Sequence, residues 1–264
     1  MKLGFIGTGN MASAIMGGII KNQIIPANDI IGADVMEAGR ERVKEQFKIQ
    51  VTADNHEVIN RSDIVILSVK PQFYAEVIAE IKDDVREDQI IITIAPGKTL
   101  AWLKEQFGKN VKIVRTMPNT PALVGAGMTA ACPNEYMTKE EIAYVLTLLD
   151  SFGRVEIIPE RLMDTVVSVS GSSPAYVFMF IEAMADAAVS GGMPRAQAYQ
   201  FAAQAVLGSA KMVLETGKHP GELKDMVCSP AGTTIEAVRV LEEKGFRSSV
   251  IEAMKTCEEI SKSM

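Results

Sequence analysis

Six residues near the start of the chain constrain its fold more than any other stretch. Gly7-Thr8-Gly9-Asn10-Met11-Ala12 follows directly on the apolar run at 2–6, giving the order strand, glycine turn, helix that cradles a dinucleotide's pyrophosphate. Gly7 permits the tight turn out of the strand, Gly9 lets the backbone approach a pyrophosphate, and Ala12 keeps the ensuing helix close to the sheet. The helix N-terminus then offers N–H groups without internal partners to the phosphate oxygens. A GxGxxA segment is also compatible with a purely structural turn, and it is the flanking strand and helix that point to a cofactor.

The first 160 residues or so repeat one rhythm. Apolar runs at 3–6, 30–33, 64–68, 90–94, 112–115 and 155–158 alternate with helical patterns, as in parallel βαβ units. Ile64-Val65-Ile66-Leu67 and Ile90-Ile91-Ile92 are apolar on both faces, as strands covered by helices on each side must be. After Asp164 strand-like runs nearly vanish. Ser172 or Ser173 is placed to cap a helix with Pro174 in its first position. Pro194 opens another helix that Gly217 ends, and Gly245 closes one begun near Thr234. The expected architecture is an α/β, Rossmann-like, doubly wound domain over residues 1–162 and an all-α domain over 163–264 for substrate binding and dimerisation. A length of 264 residues suits two cores, and the absence of a Gly/Ser-rich linker predicts a packed junction near 160–165.

Charge and cysteine content narrow the partners. Lys plus Arg number 27 against 33 Asp plus Glu, with no block of like charge, which argues against nucleic acid and anionic membrane. The most apolar long stretch, 175–193, carries Glu182 and Asp186 and is broken by Gly191-Gly192, so it reads as a buried helix rather than a membrane span. The start of the chain does not resemble a signal peptide. Cys132, Cys228 and Cys257 form no CxxC pair, and with only two histidines no metal site is expected. A reduced, cytoplasmic setting follows. Glu182 with Asp186, and Cys228, read as a polar helix stripe and a small buried thiol.

Asp34, at the end of the second strand, is placed to accept hydrogen bonds from both ribose hydroxyls and to repel a 2′-phosphate, which favours NADH over NADPH. Arg40 or Arg42 could still reach a phosphate, so the cofactor is written NAD(P)H. Reduction of a ketone would require an acid for the developing alkoxide, and the candidates are few. His56, beside Asn55, and His219, before Pro220, suit surface or capping roles. An iminium carbon is different: its nitrogen is positive before hydride arrives, so no acid is needed in that step. Ser229-Pro230-Ala231-Gly232-Thr233-Thr234 is a hydroxyl-rich loop leading into a helix; it suits a carboxylate and equally suits an ordinary N-cap.

Several ordered segments resemble those of the pyrroline-5-carboxylate reductase family over essentially the whole chain. They are Phe5-Ile6-Gly7-Thr8-Gly9-Asn10-Met11-Ala12, Ser68-Val69-Lys70-Pro71-Gln72, Arg115-Thr116-Met117-Pro118-Asn119-Thr120-Pro121, Ser170-Gly171-Ser172-Ser173-Pro174-Ala175-Tyr176, and His219-Pro220-Gly221-Glu222-Leu223-Lys224-Asp225 with Ser229 to Ile235. The resemblance implies hydride transfer from NAD(P)H to the cyclic imine of 1-pyrroline-5-carboxylate, giving L-proline. It implies a homodimer that assembles further into decamers, with the site between the two domains. It places cofactor contacts on Ile6, Gly7, Thr8, Gly9, Asn10, Met11, Asp34, Asn55, Ser68, Val69, Lys70, Pro71, Ala95, Pro96 and Gly97. It gives the substrate carboxylate to Ser229, Gly232 and Thr233, and the ring nitrogen to Thr234, the candidate catalytic residue.

Three departures from the family pattern stand out. Ala231 and Ser173 replace family glycines and so lose backbone freedom; positive φ at either would impose strain. Asp34 replaces the polar or basic residue common in NADPH-preferring members. Two other readings compete: an oxidoreductase of the β-hydroxyacid dehydrogenase type, which would need a proton-transferring Lys after Ser170–Pro174, and a non-catalytic NAD(P)-sensing protein, which would need no coherent substrate loop.

Overall fold

The computed structural model describes residues 1–263. The first unit follows the βα rhythm: β1 (Leu3–Ile6), α1 (Asn10–Lys21), β2 (Ile30–Ala33), α2 (Glu37–Phe47), β3 (Gln50–Thr52), α3 (Asn55–Arg61), β4 (Ile64–Leu67), α4 (Tyr74–Ile81), β5 (Ile90–Thr93), α5 (Leu100–Phe107), β6 (Lys112–Met117), β7 (Gly127–Pro133), α6 (Lys139–Asp150) and β8 (Gly153–Ile157). The sheet runs β3-β2-β1-β4-β5-β6-β7-β8. β1, β2, β4 and β5 are buried throughout because each face of the sheet carries a helical layer. Val43, Val145 and Leu148 of α2 and α6 join α1 in one apolar cluster, and Val58, Ile78 and Leu103 of α3, α4 and α5 belong to the other. The doubly wound reading therefore holds.

Two strands lie outside the predicted set. β3 spans three residues, too short for a periodicity, and β7 is built largely from small residues. β7 pairs antiparallel with β6, whereas the other neighbouring strands are parallel. The connection 118–126 includes a single 3-10 turn, Thr120–Val124, and is too short for the crossover that a parallel partner requires.

The remainder is helical: α7 (Met163–Val166), α8 (Ser173–Ser190), α9 (Arg195–Thr216), α10 (Pro220–Val227), α11 (Thr233–Glu243) and α12 (Phe246–Lys262). By contact density, Met1–Ser172 and the chain end from Cys257 form one unit and Ser173–Thr256 the other. Pro194 precedes α9 and Gly217 closes it in the left-handed region at φ 64°, as the sequence predicts.

Ser172 lies between a π-type turn, Val167–Gly171, and the start of α8 at Ser173, with αR backbone (φ −96°, ψ −26°) in place of the extended backbone of an ordinary N-cap. Pro174 has no N–H, so the carbonyl four residues before it has no helical donor. Ser170 takes the side-chain amide of Asn119 instead, at 2.9 Å, and the helix continues through the proline. Ser173 enters α8 without positive φ, so its replacement of glycine costs no strain there. The expectation that 175–193 is buried is also corrected: within one chain Phe178, Met179 and Phe180 of α8 are exposed, and so is Phe201 of α9. The run Glu160–Ser190 is long and apolar enough to cross a membrane by length and composition, but an exposed apolar helix face equally fits burial against another subunit.

Candidate functional site

β1 and β4 are neighbours, while the chain passes from β1 to β2 on the other side. This makes the β1/β4 carboxyl edge the topological switch point, where ligands bind in open α/β sheets. Gly7 turns there with φ 95°, and a Cβ on it would lie 2.8 Å from the backbone of Ser68. Ser68 closes the same edge, its N–H on the Ile6 carbonyl at 2.8 Å and its hydroxyl on the Gly7 carbonyl at 2.7 Å. A Cβ on Gly9 would meet no protein atom within 4 Å, so the backbone stays open to a ligand at the start of α1. Neither an acidic residue nor a side-chain cap occupies that helix start, which suits a pyrophosphate.

A cavity of about 440 Å³ extends from this edge. Ile6, Gly7, Gly9, Asp34, Asn55, Ser68, Val69 and Lys70, all expected to contact the cofactor, line it. Val35, Met36, Phe73, Glu76 and Glu80 line it as well, and the sequence reading missed them. Val35 and Met36 carry a signal in retrospect: they are apolar yet exposed, directly after Asp34. Thr8, Asn10, Met11, Pro71, Ala95, Pro96 and Gly97 are not in the lining. Thr8 is fully buried beneath it; Asn10 and Met11 begin α1; Ala95, Pro96 and Gly97 follow β5, the strand beside β4.

Asp34 is held firmly. Its Oδ2 accepts from Thr8 N and Thr8 Oγ1, both at 2.8 Å, and its Oδ1 from Met36 N at 2.9 Å. A carboxylate has about four acceptor positions, so one remains. Arg40 Nη1 is committed to the Asp34 and Val35 carbonyls, and Arg42 to the Thr8 carbonyl.

The histidines behave as predicted. His219 caps α10, its Nδ1 accepting from Gly221 N at 3.0 Å. His56 is exposed and pairs with Asp84, which raises its pKa above the ordinary value. Asp54, His56 and Glu80 bring potential metal-ligand atoms within 4.8 Å of one another. Each already has a partner: Asp54 accepts from His56 N, His56 meets Asp84, and Glu80 accepts from Asn55 Nδ2 at 2.9 Å. The Arg115–Pro121 motif is largely structural. Arg115 is buried against Glu160 at 2.8 Å, Thr116 donates to the Thr93 carbonyl, and Asn119 supports Ser170 and Met128.

In the helical unit, Ser229, Gly232, Thr233 and Thr234 come together at the start of α11. Gly232 N donates to the Ser229 carbonyl at 3.0 Å, closing a turn with Pro230 and Ala231 as its central residues. Ala231 stands in the left-handed region at φ 57°, the strain anticipated for this replacement of glycine. A Cβ on Gly232 would come within 2.3 Å of Ser229 Oγ, so a side chain there would displace that hydroxyl from its place in the turn. Gly232 supplies no side-chain cap, leaving the first N–H groups of α11 without one. Glu182 and Asp186 lie on the exposed surface of α8, Asp186 pairing with Arg195.

A doubly wound sheet with a glycine cradle at its switch point, followed by an all-helical region, defines a Rossmann-type dinucleotide-dependent oxidoreductase. Residues 160–264 match the family model described as pyrroline-5-carboxylate reductase dimerisation, and residues 2–97 that described as NADP oxidoreductase, coenzyme F420-dependent. The chain is 55% identical to the pyrroline-5-carboxylate reductase of Escherichia coli K12, over 100% of this chain and 98% of that protein. The structure of a pyrroline-5-carboxylate reductase from Coxiella burnetii superposes with a TM-score of 0.92 at 34% identity, covering 99% of this chain and 97% of that one. A Plasmodium falciparum pyrroline carboxylate reductase crystallised with NADP bound gives 0.91 at 32% identity, covering 100% and 97%. The chain belongs to the pyrroline-5-carboxylate reductase family. It is an NAD(P)H-dependent oxidoreductase of proline biosynthesis and a homo-oligomer, which displaces the hydroxyacid-dehydrogenase and sensor readings.

Proposed function

We propose that reduction of 1-pyrroline-5-carboxylate to L-proline runs with the substrate carboxylate at the uncapped start of α11 and the ring nitrogen beside Thr234. The observation that carries this reading is the Ser229–Gly232 turn, which presents hydroxyls and backbone N–H groups around one helix N-terminus. Such a terminus stabilises a negative group through its free donors and its dipole. Ser229 Oγ and Thr233 Oγ1 add neutral donors that orient the carboxylate.

A reduced nicotinamide, held by the residues around the β1/β4 edge, would supply the hydride that the imine carbon takes up. As the C–H bond forms, the C=N π pair moves onto nitrogen and cancels the positive charge of the protonated imine, leaving the secondary amine of proline. Nitrogen already carries its proton, so no residue has to deliver one in this step, which accords with the surface and capping roles of the two histidines. Thr234 Oγ1 accepts the N–H of the iminium and fixes the face it presents.

NADH is the preferred reductant in this reading. Asp34 sets a negative charge where a 2′-phosphate would sit, and Arg40 and Arg42 are engaged by backbone carbonyls. Ile6, Gly7, Thr8, Gly9, Asn10 and Met11 serve the pyrophosphate. Asn55, Ser68, Val69, Lys70, Pro71, Ala95, Pro96 and Gly97 complete the cofactor contacts. Residues 1–162 act as the dinucleotide domain and 163–264 as the substrate and dimerisation domain, in a cytoplasmic dimer that assembles into decamers.

Thr234→Ala tests the assignment. It should lower kcat/KM for pyrroline-5-carboxylate about 10- to 100-fold, as loss of one oriented hydrogen bond does, with cofactor affinity unchanged. Unaltered proline formation would remove Thr234 from the site.

A further inference from the structure

β4 and β5 leave the sheet side by side. Their ladder ends at the pair Leu67–Thr93, and the next residues, Ser68 and Ile94, begin two separate loops. Tyr74, the first residue of α4, lies between those loops with no solvent exposure. Its hydroxyl donates to the Leu67 carbonyl and accepts from Ile94 N at 3.2 Å. One oxygen therefore satisfies an acceptor at the end of β4 and a donor just past β5. Burial pushes the phenol pKa up, against the opposing N–H groups of Ile94 and Ala95, so the proton needed by Leu67 is retained. A phenylalanine would fill the same apolar volume but would leave a buried carbonyl and a buried N–H without this partner, and such groups are costly enough to shift backbone.

We propose that Tyr74 is a positioning residue for cofactor binding, its hydroxyl setting the spacing between the loop of Ser68, Val69, Lys70 and Pro71 and that of Ala95, Pro96 and Gly97. The proposal rests on the reading above that these loops hold the dinucleotide. Phe73 and Tyr74 divide the work: Phe73 faces the cavity, while Tyr74 ties the loop that carries it back to its own strand.

The test compares Tyr74→Phe with two other variants of the full-length protein, by titration with NADH and NADPH and by steady-state kinetics. Tyr74→Phe should raise the cofactor Kd about tenfold, the effect expected of one unsatisfied buried group, and leave the KM for pyrroline-5-carboxylate at saturating cofactor within about twofold of wild type. Phe107→Leu, in the same apolar cluster, should lower the melting temperature without changing the cofactor Kd. A Tyr74→Phe protein that loses stability but keeps its cofactor Kd overturns the proposal, as does an equal loss of affinity in Phe107→Leu. Val69→Trp tests the loops themselves by filling the cavity: if it leaves affinity intact, the loop assignment fails, whatever Tyr74→Phe does. Hydrogen exchange on the wild-type protein needs no folded variant. Slow exchange at the Ile94 amide without cofactor supports the strut, and exchange as fast as in exposed loops overturns it.

Discussion

The side-chain amide of Asn119 donates to the Ser170 carbonyl at 2.9 Å, the group that Pro174 leaves without a helical donor. Its Oδ1 accepts from Met128 N at 2.9 Å, so one buried residue joins the end of β6, the start of β7 and the π-type turn. Asn119→Ala leaves both backbone groups unsatisfied, at a cost of about 2–4 kcal/mol. The expected outcome is a clearly lower denaturation midpoint at fixed protein concentration. A midpoint matching wild type would mean that water replaces the amide at both ends.

Asp34 and Thr8 form the second relationship with a measurable consequence. Asp34→Ser removes the charge that opposes a 2′-phosphate, so the ratio of kcat/KM for NADPH over NADH should rise about tenfold or more. It also removes the acceptor of Thr8 N and Thr8 Oγ1, so some loss of thermal stability accompanies the switch. A wild-type enzyme that already favours NADPH would show that the committed arginines are released when cofactor binds.

The parts of this protein that were legible in sequence are those fixed by backbone rules. The glycine cradle, the two-faced apolar strands β4 and β5, and the Pro194 and Gly217 punctuation of α9 each follow from local chemistry. β3 and β7 were not legible, because three residues cannot display a period and a run of small residues carries no strand signature. The exposure of α8 is not legible for a different reason: hydropathy records that a face must be covered, not whether the same chain covers it. Asn119 was visible only as part of a motif, since its partner Ser170 lies 51 residues away. Tyr74 gave no signal at all, because an aromatic in the first turn of a helix reads as core and only its hydroxyl, seen in three dimensions, distinguishes it. In the substrate loop, the identity of Ala231 pointed to the strain, but its φ had to be observed.

His56 and Asp84 supply a prediction in pH. The hydrogen bond that His56 donates to Asp84 is the largest influence raising the His56 pKa above its ordinary 6.5, with the charges of Asp84, Glu80 and Asp54 adding to it and burial opposing it. Because the folded value lies above the unfolded one, the stabilising contribution is fully present below about pH 6.5 and is lost as pH rises through the folded pKa. An NMR titration should find His56 titrating above a model imidazole, and Asp84→Asn should move it back down. Titration at the unperturbed value in the wild-type protein would mean that the pair is not populated in solution.

Ala231 allows two opposing effects to be weighed. Relief of the left-handed conformation by Ala231→Gly is worth about 1–2 kcal/mol, whereas the added freedom of the unfolded chain costs about 0.4–1 kcal/mol. Relief wins by a small margin, so the variant should unfold at a slightly higher midpoint. Its folded loop nevertheless gains freedom, because glycine does not confine the Ser229–Gly232 turn to a single conformation. The KM for pyrroline-5-carboxylate should therefore rise a few-fold, with the cofactor KM unchanged. Ala231→Val reverses the stability sign, since a β-branched residue tolerates positive φ poorly, and should lower both the midpoint and kcat/KM. If Ala231→Gly left the substrate KM unchanged while Ala231→Val only destabilised the fold, the turn would be a structural cap, and the carboxylate would have to be held elsewhere.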